Sequence, residues 1–537
     1  MPGITEAPPV PVVSAALQRS VQERLDRLDD DGVHAYLAEA VYEERRRFAH
    51  DRDRLTDADR DEQRAVEAAA RCTRGDRASV EGAVLGLVDR YAHEIHNLFS
   101  QRTHKMATGV IPGALTRLLT AAHPAEWLGQ DFDPASRIAI TGDPERLRRL
   151  AKDHTLILAP THLSNLDSPI LGYALHQSGL PPFIYGAGLN LFGNKLMGFF
   201  MSRLGAYTVD RRKRHSIYKD TLKAYSVDAL GRRCHSLFFP GGTRARSGRV
   251  ESSIKKGLLG TGIVAWQEGL ERGRPDPEIL VVPCTLSFAL VLEAETLIED
   301  ALQAEGRSRY IITDDEFSQP RTVASFARRV LNLDASAHVH LGEPLDLMGN
   351  PVDEAGRSLD PNGHGLDRRR YVTDRAGAVV RDPQRDRVYT DHLAQGLVDA
   401  WHRDTVALST HVAAFAAWGQ LQRAHPRMDT WQLVFLAPDE RRLPRVELLF
   451  AIERVLEGLD RLQSAGQIRA ALPGSGRGQA EAVLDQALDR FARFHTRRAL
   501  ERCDAERLRV DTRLALYYGN RLQGFGLDGA ARSVQHA

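Results

Sequence analysis

At 537 residues the chain is too long for one ordinary hydrophobic core, so two or three folding units are expected. A hydrophobic share of 42% and a charged share of 27% are those of an ordinary soluble globular protein. The formal net charge of +1 gives no overall signal for nucleic acid or membrane. Cys72, Cys234, Cys284 and Cys503 lie far apart, with no C-x-x-C pair and no histidine at metal-ligand spacing. That pattern suits a reduced, cytosolic protein without a disulfide framework or a structural zinc.

The opening MPGITEAPPVPVV lacks a basic region followed by an apolar one, so no signal peptide is expected. Residues 1 to about 14 are Pro-rich and read as disordered. From there to about residue 119 the pattern is helical and heavily charged, with a polar break at 53–60. Strand-like runs and helices then alternate: RIAITG (137–142), a helix at 144–154, TLILAP (155–160), FIYGAG (183–188), an apolar helix at 189–204, AYTV (206–209), a helix at about 215–230, HSLFFP (235–240), a helix around 253–272 and ILVVPCTLSF (279–288). HVHLGEPLDL (338–347) closes this region. Such alternation predicts an α/β fold, a mostly parallel sheet flanked by helices, with helical regions before and after it. The boundaries expected are 1–130 for the helical N-terminal region, 131–347 for the α/β domain, 348–390 for a loop or linker, and 391–537 for the helical C-terminal region. No internal repeat is apparent. No stretch reaches the roughly 20 uncharged apolar residues of a membrane span; the best candidate, Leu189 to Tyr207, is broken by Lys195 and Arg203.

The first motif with chemistry is APTHLSNLDSP (159–169), where a strand ends, His162 follows and Asp167 comes five positions later. Asn165, Asp167 or Ser168 can cap the helix that begins there. On one tight loop the carboxylate can bond one imidazole nitrogen and fix the tautomer, leaving the other to take a proton from a hydroxyl. A histidine and an aspartate at this spacing also occur by chance, as a partly buried ring beside a cap. Ser164 lies two residues from His162 and has no separate base, which argues against it as a nucleophile.

Two further segments pair a strand with basic residues. GAYTVDRRKRH (205–215) runs a short strand into Arg211, Arg212, Lys213 and Arg214. FFPGGTRARSGRVE (238–251) runs a strand through a Pro-Gly-Gly turn into Arg244, Arg246 and Arg249. A glycine turn presents backbone N–H groups to an anion, and arginine offers a fork that fits phosphate. Between Arg203 and Lys256 fourteen Lys/Arg face four Asp/Glu, a local net charge of +10. The bland alternative is a solvated basic face. The P-loop, nucleophile-elbow, zinc-protease and dinucleotide-binding patterns are absent; Gly188 and Gly193 have P-loop spacing, but Asn194 stands in place of the lysine.

Taken together, four segments resemble the ordered sequence blocks of the glycerolipid acyltransferase family. THLSNLD resembles its H-x4-D block, which implies His162 as base and Asp167 as its partner. LGAYTVDRR resembles the second block, which implies glycerophosphate contacts around Gly205, Val209 and Arg211. FFPGGTRARSG resembles the F-P-E-G-T-R-S block and implies phosphate contacts at Gly242, Thr243 and Arg244, with Arg246 beside them. VVPCTLSF resembles the V-P-x-x-x-S-[YF] block and implies that Pro283 lies near the acyl or acceptor pocket. Gly241 departs from the pattern by replacing the usual glutamate, and Ala289 and Leu290 replace a charged residue that often follows the fourth block.

LSFALVLEAETLIEDAL, HVHLGEPLDL and the late RLALYYGNRL are similar to the branch that acylates glycerol 3-phosphate or dihydroxyacetone phosphate. The resemblance implies acyl transfer from acyl-CoA or acyl carrier protein to the sn-1 hydroxyl of glycerol 3-phosphate, with no metal or further cofactor and no nucleic-acid partner. It implies a cytoplasmic protein bound peripherally at the inner face of the cell membrane, for which the segment 189–205 is suited. Lysophosphatidate or dihydroxyacetone phosphate as acceptor, and a non-catalytic relative that binds lipid or phosphate, are the alternatives.

Overall fold

The apolar runs that alternate with helices assemble into one seven-stranded sheet. The structure, a computed structural model, describes residues 7–97, 99–100, 138–189, 205–274, 278–305, 337–493 and 497–534. The expected helix at 189–204 lies outside these residues, apart from Leu189.

The N-terminal region is helical, as α1 (Val10–Leu25), α2 (Asp30–His50), α3 (Asp57–Cys72) and α4 (Arg77–Ile95). The polar break falls at Asp51–Thr56, where Thr56 and Asp59 cap α3 reciprocally. Expected disorder up to residue 14 is corrected. α1 begins at Val10 because Val13, Leu17 and Val21 form a buried stripe, and Ser14 donates to Asp89 at 2.5 Å.

The sheet comprises β1 (Ile138–Gly142), β2 (Thr155–Pro160), β3 (Ile184–Gly188), β4 (Ala206–Val209), β5 (Ser236–Leu237), β6 (Ile279–Phe288) and β7 (Ala337–Leu341), ordered β1-β7-β6-β2-β5-β3-β4. β6, β2, β5, β3 and β4 run parallel; β7 lies antiparallel to β6, and β1 parallel to β7. β2 and β6 are buried at every position, as strands covered on both faces must be. The helices α5 (Pro144–Asp153), α6 (Asp167–Gln177), α7 (Ser216–Gly231), α8 (Thr261–Glu271) and α9 (Ala294–Glu305) flank it, giving a mixed α/β fold. α8 starts later than expected, since residues 251–260 wrap the site as an irregular loop.

The N-terminal helices share a core with the β3–β4 edge and α7: Leu37, Val88 and Tyr91 pack with Ile184, Tyr207, Ile217 and Tyr225. A buried ion network reinforces this seam. Lys213 Nζ lies 2.8 Å from Glu62, and Arg47 Nη2 also 2.8 Å from Glu62, with Asp59 between Arg47 and Arg212.

The segment read as a loop at 348–390 is built from repeated turns. Asp346, Asp353 and Asp360 stand seven residues apart (346, 353, 360), and Asp374 repeats the pattern. Each accepts from the N–H groups two and four residues on, as Met348 and Asn350 do at 2.8 and 2.9 Å for Asp346. Three residues after each aspartate comes a glycine in the left-handed region, with φ +88° at Gly349 and +81° at Gly356. An internal repeat of the form D-x-x-G is therefore present, contrary to the sequence reading. Its Gly- and Asp-rich composition imitates an irregular loop. Helix α10 (Pro383–Arg403), capped by Asp382, begins inside the expected linker.

The C-terminal region contains β8 (Val406–Leu408), α11 (Ser409–Ala424), α12 (Thr430–Val434), β9 (Arg442–Pro444), α13 (Arg445–Ser464), β10 (Arg469–Ala471), α14 (Gln479–Phe491), β11 (Leu500–Arg502), β12 (Arg507–Val510) and α15 (Thr512–Gly519). Two small sheets, β10-β8 and β11-β12-β9, interrupt the helical pattern expected there. α11 is buried from Ser409 to Leu421, and its core is continuous with Leu286 and Phe288 of β6.

Candidate active site

Because the five central strands are parallel, β2, β4, β5 and β6 all end on one edge of the sheet. The loops that follow them carry the motif residues. This is where an open α/β sheet leaves room for a ligand.

His162 lies two residues beyond β2. Its Nδ1 is 2.8 Å from Asp167 Oδ2, and the same oxygen accepts the N–H groups of Leu163 at 2.6 Å and Ser164 at 3.0 Å. Asp167 is fully buried as the first residue of α6. It turns its carboxylate back into the loop and does not cap the helix by its side chain. The His162 ring stacks on Phe239, with centroids 4.3 Å apart, and its side chain is 13% exposed. Nε2 has no hydrogen-bond partner among the described residues. A ring fixed through one nitrogen and open at the other can accept a proton from a bound hydroxyl.

The turn after β5 holds this loop from the other side. Ala245 N–H donates to His162 O at 2.7 Å, and Gly242 N–H to Phe239 O at 3.0 Å. Gly242 has φ +74°, and a Cβ there would lie 2.6–2.8 Å from the end of Lys255. A side chain there would be strained by the left-handed backbone and would push the end of the lysine aside. Beside it, Gly241 has no side chain but is not without a carboxylate. A Cβ at Gly241 would lie 3.2 Å from Oε1 of Glu251, which accepts the backbone N–H of His162 at 3.0 Å. Glu251 comes ten residues later, so the sequence pattern does not reveal it as the neighbour of Gly241. Burial pushes its carboxyl above the usual range, opposed by the His162 N–H and by the charge of Arg521.

Arg244 pairs with Glu293, Nη1 to Oε1 at 2.9 Å. Glu293 also accepts from Ser164 Oγ at 2.9 Å and Asn165 N–H at 2.9 Å, so it ties Arg244 to the His162 loop. Burial pushes the Glu293 carboxyl upward, partly offset by the Asn165 N–H and Arg244. Ser164 is thereby engaged, its hydroxyl committed to a carboxylate that also carries Arg244 and the Asn165 N–H. Thr243 is exposed, while Arg246 is half-buried in the same turn.

The remaining motif residues are less central. Arg211 follows β4, three strand spacings from β2, or roughly 14 Å. It is exposed there, as is Arg212; Arg212 and Lys213 are paired with the N-terminal acids. Part of the local positive charge is thus structural. Gly205, with φ +100°, packs against Phe183 O, and Val209 closes β4. Pro283 is buried inside β6 opposite Ala159, so it shapes the sheet below the site and lies off the loop cluster.

The C-terminal region completes the floor. Asn520 donates to Ser247 O at 2.8 Å, Tyr518 accepts Val291 N–H at 3.1 Å, and Arg521 donates to Leu286 O at 2.7 Å. A Cβ at Gly248 would clash with Tyr517 O at 2.1 Å, so backbone meets backbone at this seam. The YYGNR segment was visible in the sequence, but not its seat behind His162.

Residues 141–287 match the protein-family model described as Acyltransferase. That stretch runs from β1 to β6 and contains every block residue from His162 to Pro283. Among solved structures the chain is similar to the 1-acyl-sn-glycerophosphate (LPA) acyltransferase PlsC from Thermotoga maritima. Sequence identity is 14%, over 55% of this chain and 80% of that one, with a TM-score of 0.26. At that score the likeness carries no weight for function.

Proposed function

We propose that this chain moves a fatty acyl group from a thioester to the sn-1 hydroxyl of glycerol 3-phosphate, with His162 as general base. The observation that carries the reading is the 2.8 Å bond from His162 Nδ1 to Asp167, which leaves Nε2 for the acceptor hydroxyl beside a basic glycine turn. As the hydroxyl oxygen attacks the thioester carbon, its proton passes to Nε2. The C–S bond then breaks, and the coenzyme A or acyl-carrier thiolate leaves with that proton. Arg244, Arg246 and Arg211, with the turn at Gly242 and Thr243, are the groups suited to the acceptor phosphate. General-base catalysis of this kind supplies roughly 10²- to 10⁴-fold.

The amphipathic product suits work at a membrane surface on the cytoplasmic side. No helix among the described residues is long and apolar enough to cross a membrane. Peripheral contact is tested by flotation with anionic liposomes; protein that stays at the bottom rejects it.

Purified protein incubated with glycerol 3-phosphate and labelled long-chain acyl-CoA should yield lysophosphatidate, and His162→Ala should not. Equal product from both removes His162 from the mechanism. Acyl carrier protein as donor, and dihydroxyacetone phosphate or lysophosphatidate as acceptor, are the next arms. Ligand binding without turnover in all of them selects a non-catalytic relative.

A further inference from the structure

We propose that Arg521, brought in by the C-terminal region, is a positioning residue for the His162–Asp167 pair, holding the enclosed carboxylates of Asp167 and Glu251 in place. The inference rests on His162 being the general base.

The geometry begins with burial. Arg521 is 3% exposed, and a guanidinium so enclosed is costly unless charge and hydrogen bonds compensate it. Nη2 donates to Leu286 O at 2.7 Å. The N–H of Leu286 donates in turn to Oγ1 of Thr161 at 3.0 Å, the residue before His162. Among the described residues Nε and Nη1 of Arg521 have no hydrogen-bond partner, and neither do the buried Asp167 Oδ1 and Glu251 Oε2. The N–H groups of these two nitrogens and the two carboxylate oxygens are thus opposite in charge and each in need of a partner. Both carboxylates also bond the His162 loop through their other oxygens: Asp167 Oδ2 takes Nδ1 of the ring, and Glu251 Oε1 takes the backbone N–H.

The groups whose charges couple to Arg521 are consistent with this role. Burial pushes the Arg521 guanidinium below its ordinary range, opposed by Glu251, Tyr517 and Asp167, which favour its charged form. His411 and His402 also feel its charge and are pushed down, chiefly by burial and then by Arg521, so they stay neutral and do not compete for the carboxylates. Without the guanidinium, Glu251 would keep its burial and lose an opposing charge, and would turn neutral at higher pH. That change moves the acid limb of the pH–rate profile upward.

The test compares kcat, KM and pH profiles of Arg521→Met, Arg521→Lys, Glu251→Gln and the double variant Arg521→Met/Glu251→Gln with the parent, after circular dichroism confirms folding. Arg521→Met should lose about tenfold or more in kcat, the size that outer-shell partners commonly show, with KM for the acyl donor nearly unchanged. Its acid limb should shift to higher pH, and Arg521→Lys should recover most of the loss. The double variant should be no worse than the poorer single one, because the two charges go together. An unchanged limb and kcat in a folded Arg521→Met, or additive losses in the double variant, overturns the proposal. If Arg521→Met does not fold, Arg521→Lys and Glu251→Gln decide: a Glu251→Gln limb unmoved from the parent overturns it. Titration of the His162 ring by NMR in the same variants does not require turnover. If no acyl transfer is found, the proposed function fails alone, while a ring pKa that differs between parent and Arg521→Met upholds the positioning and an identical one rejects it.

Discussion

Nη1 of Arg244 stands 2.9 Å from Oε1 of Glu293, and the same glutamate holds Ser164 Oγ and Asn165 N–H in the loop that begins at His162. Arg244 is therefore a structural partner of the His162 loop as well as the cation proposed for an incoming phosphate. A residue that only bound phosphate would raise KM for the acceptor when removed and leave kcat alone.

Arg244→Ala should do both. It leaves Glu293 enclosed without its counter-charge, a defect that costs on the order of 3–5 kcal/mol when the pair is well buried and less here, since Arg244 is 20% exposed. Steady-state kinetics should show higher acceptor KM together with at least a tenfold fall in kcat, and calorimetry a lower Tm. Glu293→Gln should reproduce the kcat loss with little change in KM. A pure KM effect in Arg244→Ala would show that the pair does not organise the loop.

Asp167→Asn separates charge from folding. An amide oxygen in the place of Oδ2 can still receive the ring and the two loop N–H groups, but without the negative charge it no longer stabilises the imidazolium formed in the reaction. Activity should fall by about 10²- to 10⁴-fold. His162→Ala should lose as much activity but little stability, because the ring bonds only to Asp167 and otherwise stacks on Phe239. The double variant should be no less active than either single one, which a discontinuous assay at high enzyme concentration can check.

Much of this site was legible in the sequence because its parts are local. His162 and Asp167 sit on one loop, and Gly242 to Arg246 on one turn. Parallel strands with long apolar runs place both at the same edge. What could not be read is what arrives from afar. Glu251, Glu293 and Arg521 lie 89, 131 and 359 positions after His162 (251 − 162, 293 − 162, 521 − 162), and nothing in the segments that carry them marks them as its neighbours. The run of four basic residues at 211–214 also misled, because charge alone does not say which side chains are already paired. Lys213 is buried against Glu62 and Glu94 of helices that composition had assigned to a separate region.

The same seam predicts a pH response. His215 is buried between Tyr91, Tyr218 and Glu44, with Tyr91 OH 3.2 Å from Nε2 and the Tyr218 N–H donating to Nδ1 at 3.3 Å. Burial, followed by the charges of Lys213 and Arg47, pushes it down to about 3. In the unfolded chain it protonates near pH 6.5. Between about pH 6.5 and 3 the unfolded state then binds the extra proton. Folding stability from this group is full above that window and falls as pH falls, by up to about 1.4 kcal/mol per pH unit. Buried Glu44, raised chiefly by desolvation, acts in the opposite sense, so the total slope is not diagnostic. The difference is. His215→Gln should be less stable than the parent at pH 7, and the gap in Tm should close as pH drops from 7 to 4. A gap that stays constant would mean that His215 is protonated in the folded protein.

Position 241 offers the sharpest contest between sequence pattern and structure. By pattern, Gly241→Glu restores the usual glutamate and should raise activity. In the structure Glu251 already fills that space, with Oε1 3.2 Å from where the new Cβ would stand and its carboxylate bonded to the His162 N–H. A second carboxylate would crowd the first and repel it, raising the pKa of one of the two. Gly241 does not have a positive φ, so the backbone accepts a side chain and the outcome depends on Glu251 alone. Gly241→Ala should keep most of its activity, since Glu251 needs to give by only a few tenths of an ångström. Gly241→Glu should lose activity and lower Tm, and Gly241→Glu/Glu251→Gln should regain part of both, with the carboxylate now supplied from position 241. Parent-level turnover in Gly241→Glu alone would mean that Glu251 moves aside without cost, and that its bond to the His162 loop is dispensable.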